Sequence, residues 1–161
     1  MMLRSLFAAV AALTATALAT HAHDPARAGD AAPSGASVYN LDSKWTTQDE
    51  ASVALDSFSG KPVVAAMGYT TCKDICPAIV ADMMWIEKHP PPDAAGAVRF
   101  AFFSFDPEAD TPLRLKLYAE SHGLDLSRWT LLRADDEAVR ELAAALGVGY
   151  KPDGQGGCHP K

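Results

Sequence analysis

The sequence has little positive charge. Its 14 Lys and Arg residues stand against 20 Asp and Glu, which gives a formal net charge of −6. A nucleic-acid binder needs a basic face, and attraction to an anionic membrane surface needs basic residues, so the charge balance argues against both classes. Glycine and proline number only 11 each, and no internal repeat is visible. What remains is a chain of 161 residues, 48% hydrophobic, which is enough to build the core of one domain.

No hydrophobic run is long enough to indicate a membrane span with certainty. The longest, residues 5–20, falls short of the roughly 20 apolar residues that a span needs. It follows the basic Arg4 and leads into small residues, a layout that predicts a signal peptide over residues 1–22. An uncleaved N-terminal anchor is the alternative. Both interpretations place the body of the protein in the periplasm or another extracytoplasmic compartment.

The rest of the chain divides into a linker and one domain. Residues 23–37 are rich in Ala, Gly, Pro and Asp and are expected to form a flexible linker. Within residues 38–161 we predict strands at Val38–Leu41, Ser52–Leu55, Val63–Met67, Val98–Phe105 and Trp129–Leu132, the third and fourth of them buried on both faces. Helices are predicted at Pro77–Lys88, from the cap Thr111 to Ser121, and from Asp135 or Asp136 to Leu146. This alternation predicts an α/β fold with a central parallel or mixed sheet flanked by helices.

Cysteine is scarce, and two of the three cysteines are close together. Cys72 and Cys76 follow a predicted buried strand and precede a predicted helix. The N-terminus of a helix stabilises a thiolate, and ligands bind at this end of the strands in open α/β sheets. A step of four residues, about one helical turn, can bring both sulfurs to one side. The pair can therefore close a disulfide or hold a soft metal ion such as Cu(I).

A structural disulfide is the plain alternative for this pair in an exported protein. A disulfide that closes so short a loop stabilises the fold little, so the location favours a functional role. The three residues between the cysteines exceed the two of common thiol–disulfide exchange motifs. This wider spacing favours a metal ion without excluding redox chemistry.

Two motifs resemble the Sco/SenC family. Residues 68–77, GYTTCKDICP, resemble its G-Y-T-x-C-P-D-x-C-P loop, and residues 103–112, FSFDPEADTP, resemble a second family block that ends in D-P-x-x-D-T-P. The likeness runs from about Val38 to Tyr150. It implies a thioredoxin-like fold, copper as the bound metal, and a role in the assembly of cytochrome c oxidase. Asp106 and Asp110 in the second block are interpreted as turn and cap residues that place their loop beside the cysteines.

The sequence departs from the family pattern at two places. Lys73 stands where the family usually has proline, and the sequence after Tyr150 matches poorly. His159 lies near the expected position of the family's ligand histidine, so the resemblance implies copper ligands Cys72, Cys76 and His159, with Cys72 and Cys76 also able to form a redox disulfide. A frayed terminal histidine is the alternative. Cys158, the third cysteine, has no partner in this scheme. It can be interpreted as a substitute ligand, an intermolecular disulfide partner or an incidental thiol. We expect the chain to be truncated and to lack the family's final β-hairpin and helix.

The resemblance implies one of two activities towards cytochrome c oxidase. The protein would deliver copper to the binuclear copper centre or reduce the cysteines of that centre. The expected partner is the copper-bearing oxidase subunit or another copper chaperone. A thiol–disulfide oxidoreductase or peroxidase-like enzyme on the same fold is the alternative, so the sequence leaves open whether the protein is an enzyme.

Overall fold

A computed structural model describes residues 35, 37–92, 94, 96–152 and 158–160 of the chain, with residues 150–152 and 158–160 as backbone only. The predicted signal peptide and all of the predicted linker except Gly35 and Ser37 lie outside the described residues. Within the described part, no helix combines the length and the hydrophobicity that crossing a membrane requires.

The described part of the domain alternates strands and helices. In chain order the elements are β1 (Lys44–Thr47), β2 (Ser52–Ala54), β3 (Val63–Gly68), α1 (Ile75–Lys88), β4 (Arg99–Ser104), α2 (Pro112–His122), β5 (Trp129–Arg133), α3 (Asp136–Ala145), β6 (Tyr150–Pro152) and β7 (Cys158–Pro160). Strands β3, β4 and β5 run parallel, and β1 pairs antiparallel with both β5 and β2. The resulting five-stranded sheet has the order β2-β1-β5-β4-β3, which confirms the predicted mixed α/β fold.

Helices cover the two faces of the sheet over separate hydrophobic clusters. On one face Val139 and Leu142 of α3 join the buried Trp45, Phe103 and Leu132. On the other face α1 and α2 pack on side chains of β4 and β5 and form the second cluster. The fully buried members of this second cluster are Val80, Phe100, Phe102, Leu115, Ala119, Trp129 and Leu131. The alternating side chains of β4 and β5 supply both clusters, so these two strands form the centre of the molecule.

Two predictions about the strands are wrong, and one strand was not predicted. Residues Val38–Asn40 form a 3₁₀ turn because the Ser37 hydroxyl accepts the Tyr39 N–H and starts a turn in place of an extended strand. Strand β1 was not predicted because it has only four residues, although its alternation places Trp45 inward. Strand β3 is not buried on both faces: it ends the strand order, and Ala65 on it is exposed.

The helix boundaries follow their capping residues. Thr111 accepts the Arg114 N–H at the start of α2, and Gly123 ends that helix at φ 66°. Asp135 accepts the Ala138 N–H at 2.9 Å and so caps α3. Helix α1 begins at Ile75, two residues before the predicted start. Pro77 fits in its first turn, because N–H groups in the first turn have no hydrogen-bond partner within the helix.

Strands β6 and β7 form a separate antiparallel pair that the sequence did not predict. In it the backbone of Lys151 lies opposite that of His159, and Pro152 lies opposite Cys158. This pair contains His159, and it differs from the hairpin that we expected to be missing, which the resemblance to the Sco/SenC family places after the ligand histidine.

Candidate metal centre and thiol site

Two loops meet beside the cysteines at one edge of the sheet. The loop of residues 69–74 follows β3, and the loop of residues 105–111 follows β4. The two strands pair in parallel with Gly68 opposite Ser104, and the Phe105 N–H donates to the Gly68 carbonyl at 2.8 Å. Because parallel strands end at the same edge, the cysteine loop and the acidic loop lie side by side, as the sequence predicted.

Asp110 joins these two loops from a fully buried position. Its carboxylate accepts the Thr70 hydroxyl at 2.5 Å, the Thr70 N–H at 3.1 Å and the Ser104 hydroxyl at 2.6 Å. Asp106 accepts the Ala109 N–H at 3.1 Å and so performs the predicted turn role. Asp110 does more than the predicted capping: the three donors compensate a buried charge and fix the backbone two residues before Cys72.

The two cysteines differ in exposure although they lie one turn apart. Cys76 is in the first turn of α1 and only 3% exposed, while Cys72 lies in the loop and is partly exposed. The Cys76 N–H donates to the Cys72 sulfur at 3.3 Å, so the helix N-terminus points at that sulfur. Both thiols are free. Tyr69 and Phe105 pack around the pair and form a small apolar wall.

The surroundings shift the two thiol pKa values in opposite directions. Burial raises the pKa of Cys72, but hydrogen bonds from the Cys76 N–H and thiol and from the backbone N–H groups of Asp74 and Ile75 outweigh it, so the pKa is below its ordinary value. Burial raises the pKa of Cys76 to about 12, and the charges of Cys72 and Asp110 add to this. Of the two thiols, Cys72 at the helix N-terminus is therefore the one that ionises more readily, while the deeper Cys76 keeps its proton to a higher pH.

The donors that the structure brings together are two sulfurs. Among the described residues, no group of three His, Cys, Asp or Glu side chains is placed to hold a metal ion. The Asp110 carboxylate is occupied by Thr70 and Ser104. Two neighbouring thiolates are a donor set that suits soft Cu(I). The side chain of His159 lies outside the described part of the structure, so its role as a third ligand stays a prediction.

Sequence reasoning missed one residue beside the thiols. Tyr118 on α2 is 8% exposed, its ring stacks on Phe102 with centroids 5.8 Å apart, and its buried hydroxyl has no hydrogen-bond partner among the described residues. Burial raises its pKa to about 12, helped by the charges of Cys76, Cys72 and Asp110. Helical periodicity indicates only that Tyr118 faces the core; nothing local in the sequence shows that the core there adjoins the cysteines.

Comparison with known proteins assigns the family. The model of the SCO1/SenC family matches residues 32–159 of this sequence. The chain belongs to the SCO1/SenC family. A SCO1 protein homologue of Bacillus subtilis is 32% identical over 114 residues, which are 69% of this chain and 58% of that protein. The chain spans between half and three fifths of the length of the curated relatives that it matches.

Solved structures agree with the fold and with the family. The copper-bound structure of Bradyrhizobium japonicum ScoI matches with a TM-score of 0.62 and 28% identity, over 74% of this chain and 76% of that one. The structure of BsSco, described as a member of the Sco family of cytochrome c oxidase assembly proteins with a disulfide switch, matches with a TM-score of 0.59 and 31% identity, over 69% and 66%. The sequence resemblance to Sco/SenC proteins and the expected fold are thus confirmed.

Proposed function

We propose that this Sco protein binds copper through Cys72 and Cys76, with His159 as a third ligand, and serves the assembly of cytochrome c oxidase. Copper is the cargo, passed to the binuclear copper centre of the oxidase. The copper-bearing oxidase subunit or another copper chaperone is the partner. Export of the domain by its N-terminal leader places it in the periplasm or an equivalent compartment. The copper-bound ScoI relative and the oxidase-assembly description of BsSco support this proposal.

The observation that carries the proposal is the unequal exposure of the two thiols. Cys72 is partly exposed and receives the Cys76 N–H, whereas Cys76 is 3% exposed under the apolar wall. A partner thiolate can reach the Cys72 sulfur, while the buried Cys76 sulfur stays bound to the copper ion. Metal exchange between neighbouring thiolates avoids release of the ion to water, which suits a carrier.

A Cu(I) titration of the reduced protein under anaerobic conditions, against a competing chelator, tests this proposal. We expect tight binding by the full chain and by a Cys158→Ala variant, which keeps the pair and serves as the matched control. A Cys72→Ala/Cys76→Ala variant should compete poorly with the chelator. Equal binding by this variant and the wild type, or no binding by the wild type, contradicts the copper assignment.

The role of His159 needs a separate experiment. A His159→Ala variant should retain Cu(I), because two thiolates suffice for this ion, but should lose Cu(II), for which an imidazole nitrogen is a preferred donor. The sulfur-to-copper charge-transfer absorption of the Cu(II) form provides the measurement. His122→Ala, on the far end of α2, is the control. An unchanged spectrum in His159→Ala shows that His159 is not a ligand.

A thiol reductant is the second candidate function, favoured by the arrangement of one accessible and one buried thiol. In this reaction the Cys72 thiolate attacks a substrate disulfide and releases one substrate thiol. The Cys76 thiol then attacks the mixed disulfide, which releases the second substrate thiol and leaves a Cys72–Cys76 disulfide. Two electrons pass from the protein to the substrate; Cys76 supplies one proton and the solvent supplies the other, because Cys72 reacts as a thiolate. Metal-free reduction of a peptide disulfide that Cys72→Ser abolishes supports this function, and no reduction by the wild type rejects it.

A further inference from the structure

A basic cavity lies at the end of the sheet opposite the cysteines. It is close to the residues where β3, β4 and β5 begin, whereas the cysteine loop follows the end of β3. The cavity has a volume of about 200 Å³. Its lining includes three cationic side chains and several hydroxyl groups, among them Lys61, Arg99, Arg128, Ser57, Ser59 and Ser127.

The cations of this cavity are poorly compensated. The protein carries a net charge of −6, yet three of its 14 basic residues meet here and no acidic residue lines the cavity. Within the described part of the chain, the side chains of Lys61 and Arg99 take part in no ion pair. An anion that enters the cavity would therefore be attracted by cations that have no other charged partner in that part of the chain.

Arg128 also has unused hydrogen-bonding capacity. Its Nη1 lies 3.6 Å from Glu87, whose other oxygen accepts the Trp129 indole N–H at 2.9 Å. Its guanidinium lies over the ring of Phe100, 5.4 Å from the centroid. Two of its nitrogens, Nε and Nη2, are buried and have no hydrogen-bond partner in the part of the chain that the structure describes. Because both nitrogens are buried, they do not face the open space of the cavity, and a ligand there would meet Lys61 and Arg99.

The nearest acidic groups do not cancel this charge. Glu87 is shared between Arg128 and Trp129. Asp125 is exposed outside the lining and accepts the Ser127 N–H at 3.0 Å. It compensates Arg128 in part, but it leaves Lys61 and Arg99 without an acidic partner among the described residues. Asp56 precedes Ser57 in the chain and is exposed outside the lining as well. The cavity therefore presents a net positive charge from Lys61 and Arg99 together with hydroxyl donors.

We propose that this cavity binds a phosphate-type oxyanion, either free phosphate or the phosphate of a lipid headgroup. Arginine presents a planar fork of N–H donors that matches the oxygen spacing of phosphate, and lysine adds a point charge. The volume holds several waters of about 30 Å³ each, so an oxyanion can enter with part of its hydration shell. The site lies at the opposite end of the sheet from Cys72 and Cys76 and does not depend on copper.

Isothermal titration of the full chain with inorganic phosphate tests the proposal. A Lys61→Gln/Arg99→Gln variant should bind about tenfold more weakly or worse, because hydrogen bonds to charged groups are lost. An Arg114→Gln/Arg140→Gln variant is the matched control, since it removes the same charge from two exposed positions on α2 and α3. It should bind as the wild type does. No binding by the wild type, or equal weakening in both variants, overturns the proposal.

A second measurement guards against misfolding and identifies the source of the phosphate. Both double variants should keep the circular dichroism spectrum of the wild type and unfold in a cooperative thermal transition. If the Lys61→Gln/Arg99→Gln variant does not, the titration uses Ser127→Ala instead. This substitution removes one exposed hydroxyl donor of the cavity. Sedimentation with phosphatidylcholine vesicles, with and without phosphatidylglycerol, is then compared. Binding that requires phosphatidylglycerol and is lost only in the cavity variant assigns a lipid phosphate. Phosphate binding without vesicle binding assigns a soluble oxyanion.

Discussion

Asp110 shows how a single buried side chain decides the geometry of the thiol site. It is fully buried, and its two oxygens accept both donors of Thr70 and the hydroxyl of Ser104. A buried carboxylate is tolerated only when such donors surround it. Because Thr70 lies two residues before Cys72, this network holds the loop that presents the exposed sulfur.

We predict that Asp110→Asn lowers the free energy of unfolding by about 1–3 kcal/mol, because asparagine has one acceptor oxygen where the network needs two. The NH₂ group would face either the Thr70 N–H, to which it cannot bond, or the Thr70 hydroxyl, which would then have to accept instead of donate. Chemical denaturation of the reduced protein measures the change. Asp82→Asn, at an exposed position on α1, is the control and should change stability little. Equal stability of the two variants would show that the network does not hold the loop.

Gly68 lies where the backbone of β3 passes close to the Cys76 sulfur and the Phe102 ring. A Cβ atom at this position would lie 2.8 Å from the ring of Phe102 and 3.1 Å from the Cys76 sulfur. Phe102 is only 1% exposed and stacks on Tyr118, so its ring has little room to move. The absence of a side chain at Gly68 therefore lets Cys76 sit under the loop.

We predict that Gly68→Ala destabilises the protein by about 1–3 kcal/mol, the usual cost of overpacking a core. The displaced sulfur should also react faster with an alkylating reagent, because Cys76 would lose part of its cover. Denaturation and mass spectrometry of the alkylated protein measure the two effects. The control is Gly35→Ala, since a Cβ there has no atom within 4 Å. Unchanged protection of Cys76 would contradict the close approach.

At this scale the cysteines and the position of the acidic loop beside them could be predicted, but the hydrogen bonds between Asp110 and Thr70 could not. Cys72 and Cys76 are four residues apart and adjoin a strand and a helix, so local sequence shows the pair and its helix N-terminus. Asp110 and Thr70 are 40 residues apart in sequence. Their contact depends on the parallel pairing of β3 with β4, which no local pattern reports.

Among the secondary structure elements, the helices were better predicted than the strands. Helices α2 and α3 carry Thr111 and Asp135 at the N-cap, and these residues satisfy N–H groups that the helix leaves free. The short strands β1 and β2 have three or four residues and mix polar with apolar side chains. Tertiary pairing with β5, rather than intrinsic preference, keeps β1 extended.

We predict that Asp135→Ala lowers the free energy of unfolding by about 1 kcal/mol, the usual effect of removing an N-cap. The Ala138 N–H, which now donates to Asp135 at 2.9 Å, would lose its partner. Asp136→Ala is a close control, because Asp136 is also acidic and in the first turn but is not the cap. Thermal unfolding of both variants measures the difference. An equal loss in both would assign the effect to the helix dipole rather than to the hydrogen bond.

The whole molecule separates two kinds of chemistry at opposite ends of one sheet. The thiol pair lies where the parallel strands end, beside the buried carboxylate of Asp110, and the basic cavity lies where they begin. The thiol end could be predicted from the sequence because its residues form a contiguous motif. The basic cavity could not, since Lys61, Arg99 and Arg128 come from three separate segments that only the sheet brings together.

The pH dependence of stability is a property of the whole molecule, because it sums the contributions of the ionisable groups to the free energy of unfolding. The pKa of Cys76 rises from 9.0 to about 12 and that of Tyr118 from 10.0 to about 12, in both cases chiefly by burial. A raised pKa in the folded state means that folding favours the protonated form. Their contribution to stability is therefore complete below pH 9.0 and is lost as the pH rises towards about 12.

We predict that the free energy of unfolding of the reduced protein falls as the pH rises above 9.0, and that Tyr118→Phe reduces this fall. The variant removes one of the two titrating groups. At neutral pH it should be as stable as the wild type or more stable, because the buried Tyr118 hydroxyl has no hydrogen-bond partner to lose. Denaturant unfolding across the alkaline range measures both effects, with Tyr39→Phe as the control. A Tyr118→Phe curve parallel to that of the wild type would mean that the hydroxyl ionises as easily in the folded state as in the unfolded state, which contradicts its burial beside the thiols.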